Sequence, residues 1–172
     1  MERTRGFSLI ELMVTIIILG IVAAIALPNL AGFVIRQRVG GQASELMNAL
    51  VFARVEATKL NANVVVLPAA NNEDGWTNGW CVGTTAINDC SDAAVIRNFQ
   101  GSPSDVQINS PYLQATNRLT FRRDGTLLSG ISAQAFKVTS SKLKADDATA
   151  RCVYVNAMGK ASIKKVNRDA DC

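Results

Sequence analysis

The sequence contains no histidine. Its absence removes the commonest general base and metal ligand. No Ser-His-Asp or Cys-His arrangement can then be built, nor a zinc site of the usual kind, and no glycine-rich phosphate loop occurs. Paired acids are present at Asp146-Asp147 and in Asn71-Asn72-Glu73-Asp74, but both stretches read as solvated loops. Asn88-Asp89 with Ser91-Asp92 supplies hard oxygen donors without the ligand spacing of a calcium loop. No catalytic residue, no metal site, no cofactor and no enzymatic activity are expected. Charge is missing from one further place, the whole stretch from Leu12 to Ile35.

That stretch, dominated by Ile, Leu, Val and Ala, exceeds the about 20 residues needed to cross a bilayer. Arg3 and Arg5 precede it, so the positive-inside bias sets the start of the chain in the cytoplasm and everything after the span outside the inner membrane. A secretory signal cut near Ala23-Ala24-Ile25-Ala26 is the competing reading. It does not account for Glu11. A carboxylate at the mouth of an apolar run costs on the order of 2–3 kcal/mol, which asks for a functional reason. Glu11 is expected to lack a partner in its own sequence.

Gly6-Phe7-Ser8-Leu9-Ile10-Glu11, behind a short basic leader, resembles the class III signal of type IV pilins and type II secretion pseudopilins. The resemblance implies that a prepilin peptidase cuts between Gly6 and Phe7 and that Phe7 becomes N-methylated. It also implies that Glu11 neutralises the Phe7 ammonium of a neighbouring subunit. Phe7, Glu11 and Pro28 are thus the expected assembly residues, with Pro28 letting the helix bend or melt locally.

Four cysteines, Cys81, Cys90, Cys152 and Cys172, lie in a domain placed outside the membrane, where disulfides form. Three pairings are possible. Proximity favours Cys81–Cys90, closing a small loop, and Cys152–Cys172, tying Cys172 back to a strand. Each would stabilise by about 2–4 kcal/mol.

Past Pro28 the apolar residues Leu30, Phe33, Val34, Ala43, Leu46, Met47, Leu50, Ala53, Ala57 and Leu60 recur at spacings of three and four, the stripe of a helix resting on a core. Arg36, Arg38, Glu45, Arg54, Glu56 and Lys59 fall mostly off it, and Gly40-Gly41 is a soft spot. A helix from about Phe7 to Leu60 would be about 80 Å long. From Asn63 the period falls towards two. Strands are expected at 64–67, 75–82, 94–99, 118–121, 126–128, 135–139, 151–155 and 161–166, with a hairpin turn at Asp124-Gly125 and another turn at Gly159. Gln100 to Gln114 reads as irregular. The expected organisation is a leader over 1–6, a transmembrane and assembly helix over 7–28, its amphipathic half over 29–61 and a β-rich periplasmic or extracellular domain over 62–172. The fold class is α+β, a long helix packed on antiparallel sheet.

Ala53-Arg54-Val55-Glu56-Ala57, Leu119-Thr120-Phe121-Arg122-Arg123-Asp124-Gly125-Thr126 and Arg151-Cys152-Val153-Tyr154-Val155 with Gly159 are similar to stretches of the H-type minor pseudopilins and minor pilins (the GspH/FimT/FimU-like group). This likeness implies a minor pilin at the tip of a type IV pilus, or a minor pseudopilin of a type II secretion system. Its partners would be other pilins or pseudopilins, the prepilin peptidase and the inner membrane. A third implied role is DNA binding during uptake, since some members carry a DNA-binding Gly-Arg-x-Arg stretch in the last hairpin. The matching positions here are Gly159-Lys160-Ala161-Ser162, where lysine keeps the charge but loses the arginine fork. Lys160, Lys164 and Lys165, within a basic run from Lys137 to Arg168, are the candidate phosphate contacts.

Overall fold

A computed structural model of the chain describes residues 7–70, 75–110, 118–128, 134–146 and 148–172; the side chains of 26–29 lie outside that description. The leader, with Gly6, therefore lies outside it, as does the side chain of Pro28, where a kink is expected. Among the described residues one helix, α1 (Leu9–Leu60), is followed by eight strands: β1 (Val64–Pro68), β2 (Gly79–Thr84), β3 (Val95–Gln100), β4 (Gln107–Asn109), β5 (Leu119–Phe121), β6 (Gln134–Thr139), β7 (Ala150–Val155) and β8 (Ala161–Val166). The chain divides into two compact units, Met1–Val34 and Ile35–Cys172.

In the first unit every described side chain from Phe7 to Ile25 is exposed, Leu9 and Ile10 by more than 70%. Among the described residues no single helix is long and apolar enough to cross a membrane, but Leu9–Ile25 and Leu30–Leu60 pass that test together.

The second unit is built on the rest of α1. Val39, Ala43, Leu46, Ala49, Leu50, Ala53 and Ala57 are fully buried along one face. The burial stripe starts later than the periodicity suggests. Leu30, Phe33, Val34 and Leu60 are exposed, because the strands reach only the helix from Ile35 onward as far as Ala57. Glu56 falls on the buried side, and Lys59 bonds both its oxygens at 3.0 and 3.2 Å. Gly40-Gly41 does not interrupt the helix.

Two four-stranded antiparallel sheets close on this stripe, ordered β3-β2-β1-β5 and β4-β6-β7-β8. Their inner residues, among them Val64, Val66, Trp80, Phe121, Ile108, Phe136 and Val153, form one core with the helix. Trp76 packs edge-on against Phe136 at 4.8 Å between ring centroids, joining the two halves. β1 is buried on both faces, which is why its sequence is a continuous apolar run. Val65 and Leu67 point away from the helix and are covered by Ile87 and Cys90 of the loop that follows β2 and by Val95 at the start of β3.

Two expectations change. The expected strand over 126–128 is reduced to a single Phe121–Leu127 bridge. Conversely, β4 lies inside the stretch read as irregular. It is held from a distance, because Thr77 Oγ1 accepts the Ile108 N–H at 2.9 Å and donates to the Ile108 carbonyl at 3.1 Å.

Cys81–Cys90 and Cys152–Cys172 are bonded, and no described cysteine is free. The first bond pins the covering loop to β2, and the second carries the C-terminal segment across the outer face of β7. There the Tyr154 hydroxyl donates to the Cys172 carbonyl oxygen at 3.2 Å. Replacing both Cys152 and Cys172 by serine removes a closure of sequence separation 20, and a loop of that size is worth about 3 kcal/mol. Thermal melts of the detergent-solubilised chain should show a drop of several degrees, with the Cys81–Cys90 bond retained on mapping.

Candidate functional site

At the head of α1 the Ser8 Oγ accepts the Glu11 N–H at 3.2 Å while the Glu11 carboxylate accepts the Ser8 N–H at 3.4 Å. This is a capping box, satisfying two of the four donors that a helix start leaves open. Glu11 thus has a local partner, contrary to the expectation that its own sequence offers none. The Ser-x-x-Glu spacing was the signal for it. The bond to Ser8 is long, and a neutral amide does not cancel a charge. No ion pair to Glu11 exists among the described residues.

The three candidate lysines are all exposed but do not share a face. Lys164 pairs across from Cys152 and Lys165 from Arg151. Successive side chains of a strand point to opposite sides, so Lys164 lies on the outer face with the disulfide and Lys165 on the other. Lys160 sits in the turn before β8, next to Gly159. The basic run is further spent on local bonds. Arg168 pairs with Asp169 at 2.7 Å and donates to the Leu143 carbonyl at 2.9 Å, while Arg151 donates to the Thr149 and Ala150 carbonyls.

The three late stretches of the sequence that carry the family likeness converge instead on one spot. Arg54 of α1 donates from Nε to the Gly125 carbonyl at 3.2 Å. The Leu127 N–H donates to the Ala157 carbonyl at 3.0 Å, joining the two late turns. Gly125 and Gly159 both take positive φ, 79° and 72°. A Cβ on Gly159 would run into the Gly125 carbonyl oxygen and would lie 3.3 Å from Arg54 Nε. Beside this junction is a groove of about 360 Å³ lined by Val51, Val55, Thr58, Asp124, Lys160 and Ala161. The sequence showed the turns but not that they meet, since their contact is set by the docking of both under α1.

Three carboxylates are held below the usual range. Asp124 accepts the Thr126 hydroxyl and N–H at 2.7 and 2.9 Å, and those bonds lower its pKa. Asp89 is lowered by the Ser91 hydroxyl and N–H, and Asp169 by its hydrogen bond from Arg168. Asp92 accepts from the Asn88 and Asp89 N–H groups, so the oxygens noted as hard donors in the sequence cap their own loop. No cluster of three metal-binding side chains occurs among the described residues.

A helix half with an uncovered apolar surface, continuing into a helix half wrapped by antiparallel sheet, defines a membrane-anchored subunit of the pilin type. The chain belongs to the family described as Type II transport protein GspH, which it matches over residues 42–159, and residues 1–27 match the prokaryotic N-terminal methylation motif. It is 56% identical over 32 residues to the type II secretion system core protein G of Klebsiella pneumoniae, a stretch covering 19% of this chain and 23% of that protein. The chain thus spans under a quarter of that relative's length. Its fold is similar to that of the type IV minor pilin FimU of Pseudomonas aeruginosa (strain PAO1) in two crystal forms. One gives 24% identity and a TM-score of 0.61 over 80% of this chain and 95% of FimU. The other gives 23% and 0.58 over 73% and 91%. Members of this family assemble with other pilins or pseudopilins.

Two outcomes follow from the junction and its acids. Gly159→Ala combines a left-handed backbone with a clash against Gly125, and should cost on the order of 2–4 kcal/mol; an unchanged melting temperature would contradict the close approach. Because the three carboxylates have depressed pKa values when folded, their stabilisation is complete above the unfolded carboxylate pKa and is lost as pH falls through the folded values. Melting temperature should therefore decline below about pH 4, and less steeply in Asp124→Asn.

Proposed function

We propose that this chain is a minor pilin of a type IV pilus, acting at the tip in filament assembly and initiation, a structural and non-enzymatic role. The observation that carries this reading is the exposed apolar surface of α1 from Phe7 to Ile25, headed by Glu11. In the inner membrane lipid covers that surface, with the N-terminus cytoplasmic and the β-rich domain periplasmic in a single pass. In a filament the helices of neighbouring subunits cover it. Cleavage between Gly6 and Phe7 by the prepilin peptidase and methylation of Phe7 leave an ammonium at the new terminus. Glu11 of an adjacent subunit meets it, and the ion pair turns the cost of a carboxylate in hydrocarbon into a term that favours assembly. Pro28 gives the helix the local freedom to leave the bilayer. Contacts repeated about a screw axis are heterologous and extend into a fibre without closing.

A type II secretion pseudopilin is the second reading, supported by the family description and by the match to core protein G. The fold likeness to FimU and the two disulfides weigh towards the pilus. DNA contact through Lys160, Lys164 and Lys165 is not adopted, because β8 turns two of them to opposite faces.

Glu11→Gln separates charge from capping, since glutamine also closes a capping box. The variant should be processed and helical yet nearly absent from sheared filaments. Wild-type incorporation would overturn the reading. Deletion of the gene should abolish surface pili and leave protein secretion intact; the reverse result would establish the pseudopilin.

A further inference from the structure

Among the described residues β3 is an edge strand, paired on one side only, with β2. The other edges are defended. β4 and β5 are three residues long, and β8 carries Lys164 and Lys165, devices that discourage pairing with another chain. β3 has six residues and no proline. A bulge opposite Gly83 leaves Ile96 without a facing residue, and from Arg97 to Gln100 the strand is regular.

One of the exposed residues of that regular stretch, Arg97, is unusual in its support. The Arg97 guanidinium lies 4.9 Å from the Phe99 ring centre and 5.5 Å from that of Phe52 on α1. Phe99 is itself stacked on the buried Trp80 at 5.9 Å. A cation over aromatic faces is attracted by their quadrupoles. Two rings support it, and its N–H donors remain open. No hydrogen bond or ion pair reaches the Arg97 guanidinium among the described residues. The helix carboxylate one turn beyond Phe52, Glu56, is already taken by Lys59. An arginine fixed in this way has lost most of its rotamer freedom before binding, and its fork matches a carboxylate. Arginine is also among the residue types enriched in interface hot spots.

We propose that Arg97 is an interface anchor that receives an Asp or Glu side chain from an acidic segment of the adjacent filament subunit, laid along the β3 edge. This rests on the filament reading above but concerns the sheet domain, and it can fail separately. The complementary charge, not an apolar face, selects the occupant. Asn98 lies beside Arg97 in the same edge strand, exposed and by strand alternation on the opposite face, where a long photoreactive side chain reaches whatever pairs along that edge.

The test uses the full chain in assembling cells. A photoreactive p-benzoylphenylalanine is placed at position 98, and in a second strain at position 17 on the exposed helix, with adducts mapped by mass spectrometry. The expected result is a position-98 adduct on an Asp- or Glu-containing segment of a pilin-family subunit. Arg97→Glu should reduce it at least fivefold while leaving the position-17 adduct unchanged. Arg97→Lys should lose part of the yield, and reversing the partner's acid to arginine should restore it in Arg97→Glu. Arg97→Met keeps a long side chain over the rings without charge. It should show the same loss if Arg97→Glu fails to form both disulfides. A position-17 adduct without one at position 98, a position-98 adduct insensitive to Arg97→Glu, or one on lipid overturns the anchor and leaves the filament reading standing. Loss of both adducts in the wild-type background overturns both.

Discussion

One covalently continuous helix must satisfy two different solvents. Up to Ile25 its described side chains are exposed and largely apolar, a surface that water does not tolerate and that lipid or other helices can cover. From Val39 to Ala57 the same helix keeps a single dry stripe, and the rest of its surface is polar enough for water. Small residues make that stripe work. Ala43, Ala49, Ala53 and Ala57 alternate with Leu46 and Leu50, so two sheets can approach the helix closely, and larger strand residues, Trp76, Trp80, Phe121 and Phe136, fill the space. Everything else in the domain is arranged around that choice. β1 becomes a fully buried strand, a disulfide-pinned loop supplies its outer cover, and the two late turns close over the end of the stripe through Arg54.

The N-terminal features were legible because they are local. A basic leader, a charge-free run and a carboxylate at a fixed offset depend on nothing distant, and so does the capping box at Ser8 and Glu11, which periodicity alone did not suggest. The change of period after Asn63 located six of the eight strands closely, and β2 was anticipated a few residues early. What failed was non-local. β4 contains one apolar residue and owes its existence to Thr77 and to pairing with β6. Thr126 gives its N–H and hydroxyl to Asp124, so the second arm of that hairpin stops at one bridge. Leu30, Phe33 and Val34 fit the helical spacing yet stay uncovered, because spacing says which face is apolar and not where the covering sheet begins.

The candidate site divides the same way. The position of Glu11 is explicit in the sequence, whereas the separation of Lys164 from Lys165 follows from strand alternation and is hidden by the summed charge of the run. Arg97 gave no signal in one dimension. Its meaning lies in Phe52, forty-odd residues away in sequence and packed beside it by the docking of β3 on the helix.

The two covalent bridges also have a mechanical meaning. In the proposed filament a subunit under load would be pulled through its helix, and a domain so loaded lengthens by releasing folded chain. The loops closed by Cys81–Cys90 and Cys152–Cys172, with sequence separations of 9 and 20, cannot be paid out. At about 3.4 Å per extended residue they withhold on the order of 100 Å of slack. The portion beyond β7 is looped back onto β7 itself, so tension reaching that strand passes through sulfur and bypasses the last hairpin, which stays folded as a passive passenger under strain.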